Sequence, residues 1–380
     1  MIYFDNAATT LPKPKAVGEA IVEALNSFGN PSRGGHEYSL RSSRVLYETR
    51  ELLAKLIGVE DPLNIAFTGN STMSLNIAIL GLGLKEGDEI ITTTLEHNSV
   101  LRPIYKLKKN GVKVKFVGSD KAGNINYDEL ETSIGKNTKV IMTTHASNLT
   151  GNLVDIDRIG KVAHKNNLIF IVDGSQSLGV FPVDVVKNNI DILCFTGHKG
   201  LMGPTGVGGI YVSPKVDLNP YLVGGSGSHS FSEEHPKTMP DKLEAGTPNI
   251  HGIAGLNASL KYIFNTGIDT IREKELSLAK TFYQGIKDLP KVKIYGDFSS
   301  FYRSPIVTMN LEGVPSSDLA EVLSYDYGIA TRSGIHCAPL MHNDFKTNEN
   351  GMVRFSFSHY NTMEEILKTI EILKDLSESI

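Results

Sequence analysis

Short runs of aliphatic and β-branched residues alternate with longer segments of helical spacing through the first two thirds of the chain. Strand-sized runs occupy residues 64–68, 89–94, 112–117, 139–144, 168–173, 191–196 and 207–212. Between 42 and 57, the apolar positions Val45, Leu46, Leu52, Leu53, Leu56 and Ile57 fall close to helical spacing. Residues 156–166 read as a further crossover helix that ends in Asn166-Asn167, a suitable C-cap. Strands separated by helices predict βαβ units and a mostly parallel sheet. Such strands are buried on both faces and read as unbroken apolar runs, as Ile169, Phe170, Ile171 and Val172 do.

The last third follows a different order. A helical pattern at 251–265 leads to a long helix, then a strand at 305–311 and a helix at 317–325. A strand near 328–332, another at 352–358 and a final helix from 362 complete it. This predicts an α/β chain: a large domain (15–255) around a mostly parallel seven-stranded sheet, and a small α+β domain (1–14 with 256–380). A length of 380 residues fits two such units. The Gly/Ser-rich stretch 224–232 and the polar segment to Glu244 predict loop.

Composition narrows the function classes. Hydrophobic residues make up 40% and charged residues 21%, with a net charge of −4 and interspersed signs. No basic block points to nucleic acid or an anionic membrane. No apolar run approaches the roughly 20 residues of a membrane span. The opening residues lack a basic region followed by an apolar run, so no secretory signal is expected. Two cysteines, Cys194 and Cys337, make no disulfide framework. A reducing cytoplasm is the expected compartment.

Candidate chemistry gathers at the carboxyl ends of the predicted strands, where open α/β sheets bind ligands. His97, Asn148, Asp173, Thr196, His198 and Lys199 all follow such ends and can share one crevice. Asp173 closes a buried apolar strand, where a carboxylate needs a partner. That partner is either a turn or a cationic ring nitrogen. Lys199 lies in the glycine-rich segment TGHKGLMGPTG. A solvated lysine is one reading; a desolvated, Schiff-base-forming lysine is the other. No nucleotide-binding glycine pattern is present. Ser71 and Thr72 follow a strand and open a helix, which suits either N-capping or a phosphate. Cys194 sits within an apolar strand and reads as structural. Cys337, in RSGIHCAPLMH, reads as a small packed residue or as a thiol activated by His336 or Arg332. A zinc site of His336, Cys337, His342 and His359 matches no standard ligand spacing. Arg354 reads as a surface residue or as a clamp for a substrate carboxylate.

Taken together, YFDNAATTLPKP, NPSRGGH, the TLEHNS block, SNLTG, VDGSQ, TGHKGLMGPTG, EAGTPN and RSGIHCAP resemble one family across essentially the whole chain. This is the class-V aminotransferase group of fold-type-I pyridoxal-phosphate (PLP) enzymes. Within it, the resemblance is to the cysteine desulfurase and selenocysteine lyase branch with a short cysteine loop. The resemblance implies PLP held by Lys199, which would then move the Cα proton, with Asp173 on the pyridine nitrogen and His97 stacked on the ring and assisting proton transfer. Gln176 and Asn148 would lie near the ring hydroxyl, and Ser71, Thr72, Thr196 and His198 would hold the phosphate. Thr247 would reach the phosphate of the neighbouring subunit in a homodimer. Arg354 and Asn148 would meet the substrate, His36 would line its entrance, and Cys337 would accept sulfur as a persulfide for an acceptor protein. One departure stands out: Ser71-Thr72-Met73 replaces the Thr-Thr-Glu frequent in relatives.

The resemblance implies conversion of L-cysteine to L-alanine. Selenocysteine lyase and cysteine sulfinate desulfinase activities are alternatives. So are a true aminotransferase, a kynureninase-like lyase, a PLP-stabilised persulfide carrier and a metal-binding module without PLP.

Overall fold

The computed structural model describes residues 1–31, 34–227 and 230–379. Ser32 and Arg33 of the NPSRGGH segment, and Ser228 and His229 of the glycine/serine-rich stretch, lie outside the described residues. Seven strands form one sheet in the spatial order Ile65–Thr68, Gly208–Val212, Ile192–Thr196, Ile169–Asp173, Thr138–Thr144, Glu89–Thr93, Lys113–Val117. All seven expected strands are present, each within a residue of its expected bounds.

Only Gly208–Val212 runs against the others. Its connection from Ile192–Thr196 is the short loop 197–207, too short for the helical crossover that a parallel neighbour needs. Ile65–Thr68 is antiparallel to that strand in turn, so it points the same way as the rest. The carboxyl ends at Thr68, Thr93, Thr144, Asp173 and Thr196 therefore share one edge. The strands divide their side chains between two cores. Phe170, Val172, Leu193 and Phe195 enter one, and Ile171, Ile192, Cys194 and Ile210 enter the other.

A second, antiparallel sheet has the order Arg332–Gly334, Met352–Ser356, Ile306–Leu311, Val292–Tyr295. Helices Ile268–Ile286, Ser316–Tyr325 and Met363–Ser379 supply the rest of its core, through Leu278, Phe282, Leu319, Leu323, Ile366 and Leu373. Phe4 lies in this core, with its ring 4.9 Å from that of Phe357. The N-terminal strand Ile2–Tyr3 pairs in parallel with Ile329–Ala330.

The single strand expected at 328–332 is two. Ile329–Ala330 pairs with the N-terminus, and Arg332–Gly334 joins the four-stranded sheet. The expected boundary at residue 255 falls inside the helix Ile250–Thr266. Its Ile253, Leu256, Leu260 and Ile263 pack in the core of the large sheet. We propose that the two units divide at Gly267 instead, where a φ of +89° ends one helix and starts the next. Among the described residues, no helix is long and apolar enough to cross a membrane.

Candidate active site

A cavity of about 240 Å³ opens at the shared carboxyl edge of the large sheet. Ser71, Thr72, His97, Asn148, Asp173, Gln176, Thr196, His198, Lys199 and Arg354 all line it. Ten side chains singled out in the sequence thus meet at one place.

Asp173 is nearly buried. Its Oδ1 accepts from the backbone N–H and the hydroxyl of Ser175, at 3.0 and 2.5 Å. The turn and the cavity share this carboxylate: one oxygen is spent locally, and Oδ2 takes no hydrogen bond among the described residues. The Ser175 hydroxyl also lies 2.7 Å from that of Ser71, tying the end of one strand to the helix that follows another.

The helix Ser71–Gly81 is capped by Asn70, whose side chain accepts from the Met73 N–H at 2.9 Å. N-capping by Ser71 or Thr72 is therefore excluded, and their hydroxyls stand at the open end of the helix. Thr72 Oγ1 lies 2.8 Å from Ser99 Oγ. Gly208 permits this placement, because a Cβ there would sit 2.8 Å from the Asn70 carbonyl carbon.

His97 caps the next helix, Asn98–Lys109, by accepting from the Ser99 N–H at 3.0 Å through Nδ1. Its proton therefore resides on Nε2. Burial, helped by the neighbouring Lys199 charge, lowers its pKa to about 4, so the ring is neutral near pH 7. Lys199 is pushed down to about 8, chiefly by burial, with Asp173 opposing the shift. A Cβ on Gly200 would come within 2.6 Å of the Leu178 carbonyl oxygen, so the loop beside Lys199 packs backbone to backbone. The N-terminal segment holds this loop from outside. Thr10 N–H and Lys13 Nζ donate to the His198 carbonyl, at 3.1 and 2.6 Å, and Thr10 Oγ1 donates to the Lys199 carbonyl at 3.2 Å. Gln176 Nε2 donates to the Ala7 carbonyl at 3.0 Å, which leaves its second N–H free for the cavity.

The donor set suits a phosphorylated, cationic ring. Thr196 Oγ1 and His198 Nδ1 are buried without a hydrogen-bond partner among the described residues, and both residues line the cavity. Buried polar atoms are normally satisfied. Beside Ser71, Thr72 and a helix N-terminus, these two atoms match the acceptors of a phosphate. Asp173 supplies the opposite charge.

Arg354 is buried. It donates to Asp5 Oδ1 at 2.8 Å and to the Asn148 carbonyl at 2.9 Å, while its Nε has no partner among the described residues. Arg332 also lines the cavity and is exposed, with no hydrogen bond or ion pair from its side chain among the described residues. Sequence reasoning saw Arg332 only as a neighbour of Cys337. Its place at the head of RSGIHCAP, the segment that carries Cys337, is the signal that could have found it.

Cys337 occupies the second corner of a tight turn. His336 and Cys337 both have left-handed backbone, φ 53° and 56°, and the Ala338 N–H closes the turn on the Ile335 carbonyl at 3.0 Å. Two consecutive non-glycine residues in this region carry a conformational cost. Cys337 is half-buried, so the reading as a packed core residue fails, whereas Cys194 is fully buried as expected. Geometry and burial both disfavour a charged His336 as the activator of the thiol. Burial pushes His336 down to about 3, its Nε2 donates to the Arg332 carbonyl at 3.0 Å, and it is neutral. His342 Nδ1 bonds Thr347 and His359 Nε2 bonds Tyr262, and among the described residues no group of three or more His, Cys, Asp or Glu side chains is gathered as metal ligands.

Cys337 and His36 do not line the cavity, and neither does Thr247, which was expected at the site of a neighbouring subunit. His36 is exposed and caps the helix Glu37–Ile57, accepting from the Ser39 N–H. Thr247 is exposed in the EAGTPN segment. Glu244 anchors that segment through a two-pronged pair with buried Arg50, at 2.7 and 2.6 Å.

The class-V aminotransferase family model matches residues 2–368. A probable cysteine desulfurase of Pyrococcus abyssi is 38% identical, with 100% of this chain and 95% of the relative covered. One from Methanothermobacter thermautotrophicus is 34% identical over 99% and 94%. Among solved structures, the cysteine desulfurase of Thermococcus onnurineus superposes with a TM-score of 0.94 at 37% identity, covering 100% and 95% of the two chains. The cysteine desulfurase CsdA of Escherichia coli gives 0.89 at 30%, covering 100% and 95%. With the fold, the cavity and these likenesses in agreement, the chain belongs to the class-V aminotransferase family.

Proposed function

We propose that the chain is a PLP-dependent cysteine desulfurase that converts L-cysteine to L-alanine and leaves the sulfur as a persulfide on Cys337. The observation that carries this reading is the tether between the cysteine turn and the cavity wall. The Asn98 N–H, next to His97, donates to the Cys337 carbonyl at 2.8 Å, and Asn148 Nδ2 donates to the His336 carbonyl at 2.7 Å. An aminotransferase has no use for a thiol held there.

PLP, when bound, supplies an electron sink for charge developing at the substrate Cα. The chain's residues do the rest. Asp173 Oδ2 would favour a protonated ring nitrogen. Ser71, Thr72, Thr196 and His198 would hold the phosphate, and neutral His97 would lie beside the ring without adding charge. Gln176 has a free N–H for the ring hydroxyl. Lys199 would hold the cofactor, and its amine, lowered to about 8 by burial, suits taking and returning the proton at the substrate Cα. Arg354, with Arg332 at the mouth, pairs with the substrate carboxylate. Cys337 Sγ attacks the substrate sulfur. An S–S bond forms, the Cβ–S bond breaks, and its electron pair stays with the carbon skeleton. Protonation of that carbon gives alanine. Cysteine and a thiol thus become alanine and a persulfide, with no external oxidant.

Relatives named as cysteine desulfurases along the full chain support this reading. A homodimer in which the exposed Thr247 reaches the neighbouring phosphate completes it, as does an acceptor protein that clears the persulfide. A second reading has its own support. His336 lines the cavity but Cys337 does not. Selenium and sulfinate leaving groups depart without a nucleophile, so selenocysteine or cysteine sulfinate would suit a site with its thiol set back.

The test compares wild type with Cys337→Ala, both yellow with PLP, for alanine release from L-cysteine with a reductant. Desulfuration predicts that the variant keeps its colour and loses cysteine turnover. Equal rates in the two proteins would sink the sulfur assignment. Turnover of cysteine sulfinate that survives the substitution identifies the second activity.

A further inference from the structure

Four consecutive carbonyls of the SNLTG loop are each taken by a group from the second sheet or the segment leading into it. Arg354 holds the Asn148 carbonyl, Thr308 Oγ1 that of Leu149, Arg303 that of Thr150, and the Ser304 N–H that of Gly151. Loops ordinarily satisfy their carbonyls with water or with their own turn. Here the hydrogen bonds cross from one unit of the fold to the other. Arg303 and Thr308 are both buried. Arg303 also donates to the Asp297 carbonyl at 2.8 Å and stacks its guanidinium 3.5 Å from the centre of the Phe298 ring. Thr308 sits opposite Arg354 in the antiparallel register.

The loop passes this order on. Asn148 turns its side-chain amide to the His336 carbonyl, the first corner of the left-handed turn that carries Cys337. A turn with two non-glycine residues at positive φ persists only when its surroundings over-determine it. Its carbonyls have two anchors, Asn98 on His336's neighbour and Asn148 on His336 itself.

We propose that Arg303 and Thr308 are positioning residues for the Cys337 step: they fix the 148–151 backbone so that Asn148 holds the cysteine turn in place. The inference rests on the desulfurase reading for its kinetic consequence but not for its structural one. Neither residue lines the cofactor cavity. Asn148 does line it, but its side-chain amide is spent on the His336 carbonyl, so loosening the clamp acts on the cysteine turn before it acts on the cofactor.

The test uses PLP-loaded wild type, Thr308→Val and Arg303→Lys. Thr308→Val conserves shape and removes one donor; Arg303→Lys keeps charge and loses the fork. Three quantities are read: alanine release from cysteine, release from cysteine sulfinate, and the rate of Cys337 alkylation by iodoacetamide. Buried Cys194 does not compete for the reagent. The clamp predicts that cysteine turnover falls about tenfold while sulfinate turnover stays within about twofold, and that alkylation changes at least about threefold. Equal alkylation rates in all three proteins overturn the proposal, as does parallel slowing on both substrates. If wild type acts on neither substrate, the desulfurase reading falls, and the alkylation rates decide the clamp alone.

Discussion

Asp5 and Arg354 lie 349 residues apart in the chain and meet in a largely buried ion pair, Nη2 to Oδ1 at 2.8 Å. Burial disfavours the guanidinium charge, and Asp5 is the group that restores it. Asp5→Ala leaves Arg354 with two unsatisfied nitrogens, since Nε has no partner already. The expected loss is about 2 kcal/mol of unfolding free energy, read by urea denaturation. KM for cysteine should rise roughly tenfold as the guanidinium loses its orientation. An unchanged KM would remove Arg354 from the substrate site.

Lys199 titrates near 8 rather than at the ordinary lysine value because burial penalises its charge. The neutral amine, the form that attacks an aldehyde, therefore appears at lower pH than for a surface lysine. In the cofactor-free protein, the rate of PLP uptake should rise with pH and level off just above 8. A rate still climbing steeply beyond about pH 10 would mark an ordinary lysine.

Thr196→Val separates cofactor binding from folding. The hydroxyl is buried without a partner, so its removal costs the empty protein nothing. A phosphate that accepts from it would lose one charge-assisted bond, and PLP affinity should fall by about tenfold to a hundredfold. Equal affinity in a stable variant would place the phosphate elsewhere.

Glu275 is fully buried, accepts from the His359 N–H at 3.0 Å, and is held up to about 8 by burial. Its folded pKa lies above its unfolded value of about 4.3. The stabilisation is present below the unfolded value and is lost as pH rises through the folded one. Wild-type stability should therefore decline between about pH 5 and pH 8. Glu275→Gln should flatten part of that decline, leaving the share due to Glu96, which burial also raises to about 8. Identical pH profiles for the two proteins would show that Glu275 ionises freely.

Most of the large sheet is legible in the sequence because strands buried on both faces leave unbroken apolar runs. Asp173 and Lys199 are legible because polar residues at the ends of such runs face a crevice. The edge strand Val292–Tyr295 is not, since it is short and Lys293 interrupts the run. The split at Thr331 hides within one apolar-polar stretch, because two different strands decide it, one of them at the other end of the chain. Arg303, Thr308 and Asp5 escape for the same reason: each is defined by a carbonyl or a charge that lies more than a hundred residues away. The capping roles of Asn70 and His97 are local, yet they are masked by the chemistry that their neighbours announce.

The N-terminal segment has a consequence for how the protein is made. Ile2 and Tyr3 pair with Ile329 and Ala330, Ala7 donates to Ser356, and Thr10 grips the loop of Lys199. Residues 2–7 are thus made long before the strands that seat them, and settle only after residues 329–356 have been synthesised. The segment that braces the Lys199 loop is itself held by the second sheet, so the wall beside Lys199 is completed by contacts from the part of the chain made well after it.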